Sequence, residues 1–355
     1  MRGTRRALLA GLAGCGIVLA GIGCGSSGDE ETGPNNGTAI ASLGDSVASG
    51  EGNPARSGAP WENRACHRSP IAGQTIAALQ AQKANPDLGF FNYSCSGAAI
   101  QKGLLGPYKG IEPAPLQPAR SQIDQLRDAV AVTESGGGLA AVMISIGAND
   151  VGFSKAFKFC TLVKNCWQKH FNPAFPYAEA GTRFPTLQTY VDQGLSALPE
   201  HFAQLDSALS DLDVPADRVI LVDYFDPTTG AGGAACTMLF GGVSPDESHW
   251  AQQQVLQPLN DQIEVAAKEH GWKAVTGVAE RFRGHGLCAP ASQRWVVTLN
   301  EGLGGRALPL GPAGTAYLRI RDVIESTAGT LHPNAEGQRQ IAQLIYPVLS
   351  RVLNQ

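Results

Sequence analysis

Thr38-Ala39-Ile40-Ala41-Ser42-Leu43-Gly44-Asp45-Ser46-Val47-Ala48-Ser49-Gly50-Glu51-Gly52 passes from an apolar, strand-like stretch into a turn of small residues. A strand that ends in Gly-Asp-Ser presents a serine hydroxyl at its C-terminal edge. In an open α/β sheet that edge is where ligands bind. Ser46 is therefore a candidate nucleophile, and the remainder of the chain decides whether three residues mean more than an ordinary turn.

Downstream, short apolar runs alternate with longer amphipathic ones. Leu88–Tyr93, Ala140–Ile146, Arg218–Tyr224 and Lys273–Thr276 read as further strands, and the second of these is apolar enough to be buried on both faces. Helical spacing marks Pro70–Ala84, Ser121–Val132 and the stripe Val191, Leu195, Leu198, Phe202, Leu205, Leu209, with a kink or break expected at Pro199. Val255, Leu259, Ile263 and Ala267 form another stripe, and Ile341 to Val352 closes the chain. Strand and helix in alternation predict an α/β fold, a parallel sheet of about five strands with helices on both faces. Right-handed crossovers follow by default. Two stretches break the rhythm. Phe153–Phe184 reads as an irregular, strongly aromatic segment, either a loop with its own cluster or an apolar wall beside the site. Arg281–Thr315 is rich in Gly and Pro.

The 355 residues include 27 Lys and Arg against 31 Asp and Glu, so no basic surface argues for nucleic acid. Met1–Arg6 carries three arginines, and Ala7–Gly28 carries no charge. This is the layout of a secretory signal, so residues 1–24 read as a signal or lipoprotein segment. Leu12-Ala13-Gly14-Cys15 looks like a lipobox, and Cys24 is the competing lipidation site. Either would tether the protein to a membrane; periplasmic, cell-surface and secreted destinations all stay open. Residues 25–37, polar and rich in Gly and Asn, read as a flexible tether, and residues 38–355 as the folded domain. Six cysteines remain: Cys66, Cys95, Cys160, Cys166, Cys236 and Cys288. An even number in an exported chain implies disulfides, with fifteen connectivities possible. Without a C-x-x-C or H-E-x-x-H spacing, no metal site is expected.

Four segments carry chemistry: Gly44-Asp45-Ser46, Cys95-Ser96-Gly97-Ala98, Gly147-Ala148-Asn149-Asp150 and Leu331-His332-Pro333-Asn334. The first three follow predicted strands, so one sheet edge collects them. A serine hydroxyl needs a base to take its proton. Histidine is matched to that task near neutral pH. The oxyanion formed by attack on an ester carbonyl needs fixed donors. The backbone N–H groups of Ser46 and Gly97 and the side-chain amide of Asn149 are the candidates. Asp45 and Asp150 are expected to hydrogen-bond loop backbone. Asp246-Glu247-Ser248-His249 is a competing Asp-x-x-His motif, but Pro-Asn does not follow it.

From about Ile40 to the C-terminus this arrangement resembles the SGNH hydrolases, the GDSL family of lipases and esterases. The resemblance implies a three-layer α/β/α sandwich with a flavodoxin-like parallel sheet. It implies Ser46 as nucleophile, His332 as base, and an oxyanion hole of Ser46, Gly97 and Asn149. It implies sequential disulfides, 66–95, 160–166 and 236–288, no cofactor, and a monomer acting on a small ester or lipid. The family usually has Asp three residues before its histidine; here that position is Gly329. A backbone carbonyl, that of Gly329 or a neighbour, is expected to orient the imidazole, with Asp322, Glu325 and Glu336 as fallback acids. The expected function is an exported serine ester hydrolase. Its alternatives are an O-acetyl-glycan esterase and a catalytically silent lipoprotein that binds lipid or a partner.

Overall fold

The computed structural model describes residues 38–53, 61–111, 120–133, 138–160, 162–174, 183–235, 244–302 and 329–355. The proposed signal segment, the tether, Cys15, Cys24, Asp322 and Glu325 lie outside them. The described residues belong to one compact unit.

Five parallel strands form one sheet in the order β2-β1-β3-β4-β5. They are β1 (Ala39–Gly44), β2 (Gly89–Asn92), β3 (Leu139–Ser145), β4 (Val219–Val222) and β5 (Lys273–Val275). The helices are α1 (Ser46–Ser49), α2 (Gly73–Ala84), α3 (Gln122–Thr133), α4 (Phe153–Cys160), α5 (Leu187–Ser210), α6 (Pro245–Ala251), α7 (Gln257–Glu269), α8 (Val278–Arg281), α9 (Leu299–Gly302) and α10 (Ala335–Leu353). Helices cover both faces, which is why β1, β3 and β4 are apolar on both sides: Ile40, Val142, Met143, Ile144, Ile220 and Leu221 are fully buried. Chain direction across the sheet reverses between β1 and β3, and a doubly wound sheet opens its ligand crevice at that reversal.

Two buried glutamines fix the end of β1. Gln122 on α3 clamps Gly44, accepting its N–H at 2.7 Å and donating to its carbonyl at 2.8 Å. Gln338 on α10 accepts the Gly73 N–H at 2.7 Å and donates to the Val47 carbonyl at 3.4 Å. The nucleophile turn, α2 and α10 are thereby joined.

Two expectations need correction. Helix α5 continues through Pro199 without a break. Leu198 and Phe202 are completely buried on either side of it, and that packing offsets the missing backbone hydrogen bond. The segment after Phe153 is not wholly irregular. Its first eight residues form α4, whose Phe153, Ala156, Phe157 and Cys160 share one face at i, i+3, i+4 and i+7. Cys66–Cys95 and Cys160–Cys166 are bonded. The third expected pair involves Cys236, outside the described residues. Among the described residues, no helix is long and apolar enough to cross a membrane, and no group of three or more His, Cys, Asp and Glu is arranged to hold a metal ion.

Candidate active site

Asp45 caps α1: its Oδ1 accepts the Val47 N–H at 2.9 Å. Ser46 opens that helical turn and retains 9% exposure. The cap lifts the chain off the strand and leaves the serine hydroxyl at the crevice. Asp45 Oδ2 accepts the Tyr224 hydroxyl at 2.6 Å, and the Ala148 N–H donates to the same phenol oxygen at 3.3 Å. One buried phenol thus links the loop after β1 to the loop after β3. Burial pushes the Asp45 carboxyl up to about 7, against the opposing pull of the Tyr224 and Val47 hydrogen bonds.

His332 reaches the site from outside the sheet. Its loop is pinned to residues 294–297. The Leu331 N–H donates to the Val297 carbonyl at 2.9 Å, the Val297 N–H to the His332 carbonyl at 2.9 Å, and the Asn334 N–H to the Trp295 carbonyl at 2.7 Å. Asn334 caps α10 by accepting from Glu336 and Gly337. On the other side the Asn53 amide donates to the Pro333 carbonyl. The imidazole Nε2 lies 2.7 Å from Ser46 Oγ.

The carbonyl at His332 Nδ1 is that of Thr330, at 3.1 Å. The Gly329 carbonyl instead accepts the His332 backbone N–H at 3.1 Å. The expectation named Gly329 first; the positive φ of Gly329 (91°) and of Leu331 (68°) turns the Thr330 carbonyl toward the ring instead. An acceptor at Nδ1 fixes the tautomer, leaving Nε2 as the atom that takes a proton. Burial pulls the imidazole below its ordinary value, while the Glu51 charge and the Thr330 and Gly329 carbonyls oppose that pull. Position 329 has no room for an aspartate. A Cβ there would overlap the Gly52 backbone, and a Cβ on Gly52 would lie 2.9 Å from Gly329 Cα.

Asn149 donates from Nδ2 to the Ala98 carbonyl at 2.9 Å, which fixes its amide plane and leaves the second N–H for the cleft it lines. Asp150 accepts the Ile100 N–H at 3.1 Å and pairs with His201. The 95–98 loop is tied to β1 by the Cys95 N–H and Gly44 carbonyl, at 3.0 Å. Gly97 adopts φ 81°, and a Cβ there would overlap the Tyr108 hydroxyl. Ser46, Asn149 and His332 line one cleft of about 480 Å³; Gly97 stands on the same edge of the sheet but is not in its lining. A second cavity of about 520 Å³ shares Phe153 and Leu331 with that cleft and continues along Phe157, Trp250 and Val255.

Of the remaining candidates, His249 and Asp246 are exposed on α6. Glu336 gives its carboxylate to Arg339 and Gln340. Reasoning from the sequence missed Tyr224, Gln122 and Glu51. Glu51 is 2% exposed, and both its oxygens lie on His67 Nδ1, at 3.0 and 2.9 Å.

No family profile matches the chain. No curated protein matches it either. Among solved structures it superposes on an extracellular lipase from Streptomyces rimosus (21% identity, 89% of this chain and 99% of that chain, TM-score 0.54). It also superposes on phospholipase A1 from Streptomyces albidoflavus (20% identity, the same coverage, TM-score 0.51). The chain therefore shares the α/β fold of these two enzymes.

Proposed function

We propose that the protein is an exported serine ester hydrolase acting through an acyl-enzyme on Ser46. The observation that carries this reading is the 2.7 Å contact between Ser46 Oγ and an imidazole whose Nδ1 is occupied by a carbonyl. His332 Nε2 takes the serine proton as Oγ attacks the acyl carbon. The oxyanion is received by the N–H groups of Ser46 and Gly97 and by the Asn149 amide; one such donor contributes about 3 kcal/mol. The imidazolium then protonates the leaving alcohol. Water, deprotonated by His332, hydrolyses the acyl-enzyme and frees Ser46. The Thr330 carbonyl takes the orienting role usually given to an acid.

The substrate is an ester with an extended acyl chain, and two observations support that choice. The cavity beyond Phe153 and Leu331 is walled by aromatic and aliphatic side chains, which suit methylenes better than a sugar's hydroxyls. Two solved structures of the same fold are a lipase and a phospholipase A1. Export through residues 1–24, with a tether over 25–37, belongs to the same proposal, and the two disulfides suit an oxidising compartment. Hydrolysis of nitrophenyl esters from acetyl to palmitoyl tests the reading. Ser46→Ala is expected to lower kcat on the order of 10⁶-fold, and Phe157→Trp to move the chain-length optimum toward shorter esters. Turnover that survives in Ser46→Ala overturns the assignment.

A further inference from the structure

Glu51 lies five residues after Ser46, and the chain around it runs along the histidine loop. Its N–H donates to the Ser46 carbonyl at 2.9 Å. The next residue, Gly52, packs backbone to backbone against Gly329. Asn53 then donates its amide to the Pro333 carbonyl. The Glu51 side chain is enclosed between His67, which is 4% exposed and stacked on Trp61 at a centroid distance of 4.4 Å, and the loop of Ser96 and Gly97. A buried carboxylate is costly unless it is paired and hydrogen-bonded, and His67 and Ser96 supply those partners here.

We propose that Glu51 is a positioning residue for the Ser46–His332 pair: its carboxylate, held by His67, supplies the negative charge that stabilises the His332 imidazolium formed when the serine proton arrives. The proposal rests on the esterase reading. The proton passes from Ser46 Oγ to His332 Nε2, the oxygen lone pair goes to the acyl carbon, and Glu51 stays ionised throughout. It does for charge what an aspartate at 329 cannot do, because the Gly52–Gly329 contact leaves that position no side chain.

The charges around Glu51 are consistent with this. Burial alone would raise its carboxyl, but the His67 hydrogen bond, the positive character of His332 and His67, and the Ser96 hydroxyl together hold it below the ordinary value, so it is ionised at neutral pH. Tyr108 faces it as well, pushed up to about 12 by burial and by the Glu51 charge, and so stays neutral. Arg68 follows His67 in the chain and donates its Nε to the Ser94 carbonyl at 2.9 Å. Asp45, the other acid of the turn, is bonded to Tyr224 instead. At His332 the pull of Glu51 toward the charged form outweighs the opposing push of His67.

The test is the pH dependence of kcat/KM on a nitrophenyl ester for wild type, Glu51→Gln and Glu51→Asp. The His332 pKa is read in parallel by proton–carbon NMR in a Ser46→Ala background. Loss of the negative charge lowers the imidazole pKa. Glu51→Gln is therefore expected to shift the acid limb down by about one pH unit and to lower the plateau about tenfold. Glu51→Asp is expected to restore the limb. An unmoved limb and an unmoved NMR titration in Glu51→Gln overturn the proposal, even if activity falls, because a purely structural pair predicts that pattern. If Glu51→Gln does not fold, Glu51→Ser, which removes the charge with a smaller side chain, takes its place, and an unmoved His332 titration in it overturns the proposal. The esterase reading fails separately, through turnover in Ser46→Ala, and the NMR titration needs no turnover.

Discussion

Asp45 and Glu51 sit on either side of Ser46 in one turn, and both are shut away from water, at 0% and 2% exposure. Their carboxyls move in opposite directions. Asp45 is pushed up to about 7 by burial, and its hydrogen-bond donors, the Tyr224 hydroxyl and the Val47 N–H, are neutral. Glu51 suffers the same burial yet is held below its ordinary value, because its partners include two imidazoles. Burial alone does not set a carboxylate's charge state; the partner's capacity for positive charge does. The turn divides its labour accordingly. Asp45 ties the nucleophile to the sheet through Tyr224, and Glu51 lies against the loop that carries the base.

The sharpest way to break this comparison is to add a third carboxylate at position 329, three residues before His332. Gly329→Asp is expected to fail as a repair. Its Cβ would overlap the Gly52 backbone, and the φ of 91° is strained for any L side chain. Relief would displace the Thr330 carbonyl and His332 together, and a shift of about 1 Å at a reacting group costs on the order of 10²-fold in rate. Kinetics and a thermal melt measure both parts. A folded variant with raised activity would mean that the loop has room for the acid, and that Glu51 is not its substitute.

The strands at the centre of this comparison were legible because each is a short, continuous apolar run, Ala140–Ile146 most plainly, and a parallel sheet covered on both faces demands that composition. Ser46 and Asn149 were legible as residues just past strand ends, and His332 from its Pro-Asn and the helix after it. The helix Phe153–Cys160 carried a readable i, i+3, i+4, i+7 pattern, but its aromatic residues and eight-residue length resembled a loop cluster. The choice of Thr330 over Gly329 depends on left-handed residues on either side of it, Gly329 and Leu331, and no local composition specifies that. Glu51, Gln122 and Tyr224 act across 16, 78 and 179 positions of chain, so only the fold brings them to their partners.

Removing the tie on the Asp45 side should be milder than crowding the histidine loop. Tyr224→Phe leaves Asp45 Oδ2 without its donor and the Ala148 N–H without its acceptor. A buried hydrogen bond to a charged group is worth about 2 kcal/mol, and an orphaned partner adds to the loss. The melting temperature is expected to fall by several degrees and kcat about tenfold, with KM little changed, since the loops after β1 and β3 lose register with each other. The double variant with Asp45→Asn should be less than additive. Strict additivity would show that Tyr224 and Asp45 do not act as one unit.

The smallest effect concerns stability, and it separates the two acids by sign. Asp45 and Asp223 both have carboxyls raised to about 7 from an ordinary 3.8 by burial. Asp223 accepts the Gly277 and Val278 N–H groups at 2.9 and 3.1 Å, which lowers it only in part. Between pH 4 and 7 the folded state therefore binds protons that the unfolded state has already released. By linkage, their contribution is fully present below about pH 4 and is lost as the pH rises through about 7. Glu51, held below its ordinary 4.5, contributes in the opposite sense, with stability present above that value and lost as the pH falls through its lowered one. Melting curves from pH 4.5 to 8.5 should decline toward the alkaline end. Asp45→Asn should flatten that decline, because its amide does not titrate, whereas Glu51→Gln should change the slope only below about pH 6.5, through the lowered His332 pKa. A decline in Asp45→Asn parallel to wild type would mean that Asp45 is already ionised at pH 5, and the contrast between the two acids would collapse.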